Sequence, residues 1–163
     1  MSEGWYDVAQ ICTNGHVINA YTRSSPQHNE NHCHICGQPT IAKCPHCQTE
    51  IRGEYHSSVV FIFSSHYKKP LFCPSCGQAY PWTVAVMQGA RDLSDELENL
   101  TPEEREQLKG SLDDIIRDSP QATVAATRFK RLAAKAGRTA ADGLKEIMID
   151  LVSETAKKII WPT

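Results

Sequence analysis

The C-terminal half of this 163-residue chain contains neither cysteine nor histidine: all seven of each lie before Trp82. Other absences narrow the reading. No apolar run approaches the ~20 residues that a membrane-spanning helix requires. Residues 1–10 have neither a basic start nor an apolar stretch, so a secretory leader is not expected and a cytoplasmic location is the default. A Gly-rich phosphate loop, a nucleophile elbow and an HExxH helix are all missing, which removes common enzyme signatures. The pairs Ser64-Ser65-His66 and His56-Ser57-Ser58 set hydroxyls beside imidazoles, but sequence neighbours seldom build a catalytic triad, and polar loops explain them.

What is present divides in two. At 18.2 kDa the chain has room for one or two small domains. Residues after Trp82 carry 12 of the 17 Lys and Arg and 14 of the 19 acidic residues. Two compositions on one chain predict two units, residues 1–82 and 83–163, joined near residues 80–82.

The cysteines of the first unit form a grid. Three CxxC pairs occur, Cys33-His34-Ile35-Cys36, Cys44-Pro45-His46-Cys47 and Cys73-Pro74-Ser75-Cys76, and the seventh cysteine begins Cys12-Thr13-Asn14-Gly15-His16. Four pairs make eight donors, the number that two tetrahedral zinc ions require. Two donors separated by two residues can curl onto one metal, and the N–H groups of the turn then share the thiolate charge. Gly37 and Gly77 follow two of these pairs, where positive φ suits the turn; Gln48 follows the third. Sequential use of the pairs gives site 1 as Cys12, His16, Cys33 and Cys36, and site 2 as Cys44, Cys47, Cys73 and Cys76. A cross-brace is the rival, disfavoured because seven residues separate Cys36 from Cys44. His16 is the least constrained donor, with His28, His32 and His34 as alternatives. The CPHC string at Cys44 also occurs in thiol oxidases, but that reading needs a βαβ context. Eight donors for two ions leave no open coordination position, so the metal is expected to be structural. Hairpin strands are predicted at residues 17–22, 51–55 and 59–63.

From Trp82 onward the apolar period is helical. Met87, Ala90, Leu93, Leu97 and Leu100 mark a first helix. Thr101-Pro102-Glu103-Glu104 reads as a capping box opening a second, with Leu108, Leu112, Ile115 and Ile116 inward. Ser119-Pro120 opens a third, ended by Gly137, with Ala122, Ala125, Phe129, Leu132 and Ala136 inward. A fourth is predicted over residues 139–160, long and apolar enough on one side to support a homodimer. The expected fold is small α+β: an N-terminal double zinc ribbon of short hairpins, then a helical bundle of three to four helices.

Charge bears on the choice of partner. Residues 119–138 hold five bases and no acid, so Arg128, Lys130, Arg131, Lys135 and Arg138 are a candidate nucleic-acid face. Against this, seven metal-bound thiolates and two divalent ions would add −3 to a first unit that balances five bases with five acids, and phosphate binding relies on Lys and Arg. A protein partner is therefore the leading expectation, docked on the ribbon hairpins (including residues 59–63) or on the last helix.

Several strings together carry a resemblance. These are Ile11-Cys12 with Gly15-His16-Val17-Ile18-Asn19, Cys33 to Cys36-Gly37, and Cys44 to Cys47 with Ile51-Arg52-Gly53. To them are added Phe72-Cys73 to Cys76-Gly77, Tyr80-Pro81-Trp82-Thr83 and Ser153-Glu154-Thr155-Ala156-Lys157-Lys158. The chain resembles the bacterial family known as domain of unknown function 2321. The resemblance implies a cytosolic protein with zinc-ribbon-like knuckles and a helical tail, and brings no activity with it.

Overall fold

The computed structural model of the chain describes residues 4–57 and 67–162. It is small α+β, with short antiparallel strands in the N-terminal half and five helices in the C-terminal half. Two compact units divide it, Met1–Val84 and Ala85–Thr163.

In the first unit, strands β1 (Trp5–Val8) and β5 (Arg52–His56) pair antiparallel, with Trp5 opposite His56 and Tyr6 opposite Tyr55. Strands β2 (Gln10–Cys12), β3 (Val17–Asn19) and β4 (Thr40–Ile41) form a second antiparallel sheet in the order β3-β2-β4. The expected strand at residues 51–55 is thus present, but its partner is the N-terminal segment. That partner, β1, is rich in β-forming Trp, Tyr and Val. The predicted strand at 59–63 lies outside the described residues. Close approach fixes Gly53 within β5: a Cβ there would stand 2.3 Å from the Ala20 carbonyl oxygen and 2.8 Å from the Val8 carbonyl carbon. Only a residue without a side chain fits that gap.

The apolar centre of this unit is small: Ala9, Ile11, Ile51, Tyr80 and Trp82, together with the buried thiols of Cys44 and Cys73. Tyr80 and Trp82 stack at 4.6 Å. The Trp82 indole donates to the Pro70 carbonyl at 2.8 Å, and the Thr83 hydroxyl donates to Leu71 at the same distance, so both buried polar groups are satisfied. Asp7 is a second anchor. Its carboxylate accepts from the backbone N–H groups of Val8, Arg23 and Ser24, from the Ser24 hydroxyl, and from His56.

Helix α1 (Pro81–Asp95) begins in the first unit and enters the second at Ala85; the second unit continues with α2 (Pro102–Ile116), α3 (Ala122–Ala136), α4 (Arg138–Met148) and α5 (Glu154–Ile160). α3 packs against α2, α4 and α5, and Leu108, Leu112, Ile115, Phe129, Leu144 and Met148 are buried. The capping box forms as read: Thr101 accepts from the Glu104 N–H, and Glu104 accepts from that of Thr101. Two boundaries differ from expectation. α3 begins at Ala122, after a turn closed by the Ala122 N–H on the Ser119 carbonyl, so Ser119-Pro120 precedes the helix instead of capping it. The long last helix is two, because Ser153 leaves the ladder. Its N–H donates to the Ile115 carbonyl at 2.9 Å, and its hydroxyl caps Ala156. Leu151 and Val152 are buried in that break. No helix among the described residues is long and apolar enough to cross a membrane.

Candidate metal centres

Three knuckles share one backbone plan. The N–H of Gly37, Gln48 or Gly77 donates to the carbonyl of Cys33, Cys44 or Cys73 respectively, at 2.7, 2.9 and 2.8 Å. Each first cysteine N–H donates in turn to the carbonyl five residues later, at 2.8 Å every time. A bridge closes the base of each loop, joining His32 to Pro39, Lys43 to Glu50 and Phe72 to Ala79. The residue after the second cysteine adopts φ of +73° at both glycines and +63° at Gln48. Gln48 takes that left-handed conformation with its side-chain amide turned back to the Cys44 and Pro45 carbonyls, at 3.3 and 3.4 Å. The fourth turn differs. Cys12 ends β2, and its sulfur accepts from the His16 N–H at 3.2 Å.

These turns bring the eight donors into two groups, Cys12, His16, Cys33 and Cys36, and Cys44, Cys47, Cys73 and Cys76. Within each group all donor atoms lie within 4.8 Å of one another. The pairs combine sequentially, first with second and third with fourth. His16 enters through Nδ1, 3.5 Å from both the Cys12 and Cys33 sulfurs. Cys12 and Cys36 are 3.8 Å apart, as are Cys44 and Cys76; Cys47 and Cys73 are 3.6 Å apart. A tetrahedral ion with thiolates at ~2.3 Å and an imidazole at ~2.0–2.1 Å would set sulfurs about 3.8 Å apart and sulfur from nitrogen about 3.5 Å. The observed spacings fit that figure, and all are far longer than the ~2.05 Å of a disulfide.

Electrostatics favours the same occupant class. Packed thiolates repel unless a cation or protons lie among them. In two knuckles the second cysteine is stabilised as thiolate by donors two residues on. The Thr49 hydroxyl and N–H pull Cys47 down to about 6, and the Gln38 N–H lowers Cys36. In the third, the Gln78 N–H acts the same way on Cys76, but burial and the Cys47, Cys44 and Cys73 sulfurs outweigh it and push that thiol up to about 11. Burial pushes Cys12 up. Tyr80 supplies a separate sign. Its hydroxyl is the only buried side-chain polar atom without a partner among the described residues. Burial first, then the adjacent Cys73 sulfur, raises its pKa. A metal-bound Cys73 thiolate would accept from that O–H, so the orphan donor fits a loaded site better than a protonated one.

The other residues singled out from sequence stand elsewhere. His28, His32 and His34 join neither group; His34 pairs with Glu30 at 2.8 Å. The Cys44 pair lies in a turn, not at a helix N-terminus, so the thiol-oxidase geometry is absent there. His56 meets both Asp7 and Ser24 through the same Nε2, which is not the relay of a triad, and residues 64–66 lie outside the described set. Of the basic series, Lys135 pairs with Glu104 at 2.5 Å and Arg138 with Asp142 at 3.9 Å. Arg128 and Arg131 line a shallow pocket with Thr123 and Thr127. Asp7 was not singled out from sequence, since its partner His56 lies 49 residues away; Tyr80 was read only as part of the junction string, not as a neighbour of the Cys73 sulfur.

Three CxxC knuckles and one CxxxH turn, paired in order beside short antiparallel strands, define a protein with two four-donor clusters that could each hold a metal ion. The chain belongs to the family described as uncharacterized protein conserved in bacteria, domain of unknown function 2321, whose model matches residues 5–160. Comparison with curated proteins and with solved structures gives no match.

Proposed function

We propose that this chain is a zinc protein with two structural ions, and that it acts as a non-enzymatic interaction or adaptor module. The observation that carries this reading is closure. Each cluster offers four protein donors at tetrahedral spacing, whereas a catalytic zinc keeps one position for water. Sulfur with one imidazole nitrogen is a donor set that selects zinc over calcium or magnesium. The ions would supply folding energy to a unit whose apolar centre is otherwise a handful of side chains. When bound they contribute charge neutralisation and cross-linking, while Cys44 and Cys73 add their buried thiols to the core.

Support for a docking role comes from the β1–β5 ribbon, which presents Trp5, Tyr6 and Tyr55 at 46%, 50% and 41% exposure. Trp5 stacks on His56 at 4.2 Å, and Arg52 lies over the Tyr6 ring. Exposed aromatics held rigid by stacking suit a protein contact. The alternative, nucleic-acid binding by residues 128–138, is favoured by the Arg128 and Arg131 pair and weakened by the acids already engaging Lys135 and Arg138.

Metal analysis of the purified chain is the first test: two zinc ions per chain are expected, and one or none ends the structural reading. For the interaction role, a partner recovered with the wild-type chain should be lost with Trp5→Ala plus Tyr6→Ala, with zinc content unchanged. A nucleic-acid complex that weakens steeply with salt and is lost on changing Arg128 and Arg131 would instead establish the alternative.

A further inference from the structure

The two clusters are not equivalent in reactivity. The outward donors of the first are His16 and Cys36, both half-buried. Those of the second are Cys76 and Cys47, and Cys47 lies fully at the surface. By formal charge a divalent ion in the first cluster leaves −1, and in the second −2, so the second set of thiolates is the more electron-rich. Susceptibility of a sulfur to oxidants follows thiolate character and exposure together. Both favour the second cluster, where an imidazole does not replace one of the outward sulfurs. Each outward sulfur there also faces a buried one from the opposite knuckle, Cys47 with Cys73 at 3.6 Å and Cys76 with Cys44 at 3.8 Å. Cys47 has the shorter partner distance, and the Thr49 hydroxyl stands 3.3 Å from its sulfur.

We propose that Cys47 is an oxidation site for small hydroperoxides, and that its oxidation closes a disulfide to Cys73 and releases the ion of the second cluster. The proposal rests on the reading of both clusters as zinc sites. With hydrogen peroxide the Cys47 thiolate attacks one peroxide oxygen, the O–O bond breaks, and a sulfenic acid and hydroxide form. The Cys73 thiolate then attacks the Cys47 sulfur, the S–O bond breaks, and a second hydroxide leaves. Two thiolates have lost two electrons, the peroxide has become two hydroxides, and solvent protonates them to water. Cys44 and Cys76 remain as two ligands, too few to retain the ion. Cys44 and Cys73 both belong to the apolar centre, so the new bond forms at its wall and loosens the unit from there.

The full-length chain is used, and its zinc content is measured first. Fewer than two ions per chain would fail the zinc reading alone. With two ions in place, hydrogen peroxide is added in limiting steps and release is followed with a chromophoric zinc chelator. One ion per chain should leave at least about tenfold faster than the other. Non-reducing peptide mapping at that stage should find Cys47 linked to Cys73, with Cys12, Cys33 and Cys36 still reduced. Cys47→His retains four donors and should slow the fast release about tenfold. Simultaneous loss of both ions, earlier loss from the first cluster, a disulfide within one knuckle, or unchanged release from Cys47→His would each overturn the proposal.

Discussion

Single residues in this protein work through their backbone neighbours as much as through their own chemistry. Gly77 occupies φ of +73°, where an L side chain costs about 1–2 kcal/mol. Gly77→Ala should therefore lower stability by about that amount, with zinc retained, as read by thermal denaturation. Gln48 already bears this cost at the equivalent position, and Gln48→Gly should be neutral or stabilising by up to about 1 kcal/mol. Asp7 is buried at 2% exposure, and burial alone would raise its pKa; the Ser24 hydroxyl, the N–H groups of Arg23 and Val8 and the His56 ring outweigh that and hold the carboxyl well below the usual range. A folded-state pKa below the unfolded value means the stabilisation is complete above the unfolded carboxylate value, ~3.9, and is lost as pH falls through the folded one. Asp7→Asn should cost about 2 kcal/mol at pH 7, and its deficit relative to wild type should shrink as the pH is taken below about 4, in parallel denaturation curves. His16 was legible as a ligand from its spacing to Cys12 and the count of donors. That Nδ1 is the ring nitrogen facing the cluster followed only from the fold. His16→Ala should release the first ion and leave the second, by metal analysis.

Among elements, the helices were read best and the ribbons least. The second helix was legible to its capping box because Thr101 and Glu104 act within one turn, a distance that sequence conveys directly. Thr101→Ala should cost about 1 kcal/mol, measured by chemical denaturation. The break between α4 and α5 was not legible. The apolar period runs through it, and the residue that ends the ladder does so by donating to Ile115, on another helix. The single long apolar helix expected from the sequence is therefore two shorter ones, of eleven and seven residues. The β1–β5 pairing escaped for a related reason: its partners are about fifty residues apart, and local pattern carries no information on which strand a strand will choose.

For the molecule as a whole, the two units are built from different materials. Residues Met1–Val84 hold eight candidate metal donors beside a small apolar centre, and Ala85–Thr163 a core of packed Leu, Ile, Phe and Met. Chelation should abolish the tertiary signal of the buried Trp82 while the far-ultraviolet signature of helix persists, followed by fluorescence and circular dichroism on one sample. Loss of both together would mean that the second unit does not stand without the first.

The amino-acid sequence by itself determined which atoms can hold metal. Donor chemistry and the two- or three-residue spacing within each pair are local, and a local turn converts them directly into geometry. It also determined that the second half is helical, through a period that only one kind of backbone satisfies, but not where its last helix breaks. The tertiary structure decided the rest. It combined the four pairs in order, turned Cys47 and Cys76 outward and set Cys44 and Cys73 in the core, and gave β5 its distant partner. Those outcomes depend on which segments exclude water from one another, a property of the packed chain and not of any stretch of it.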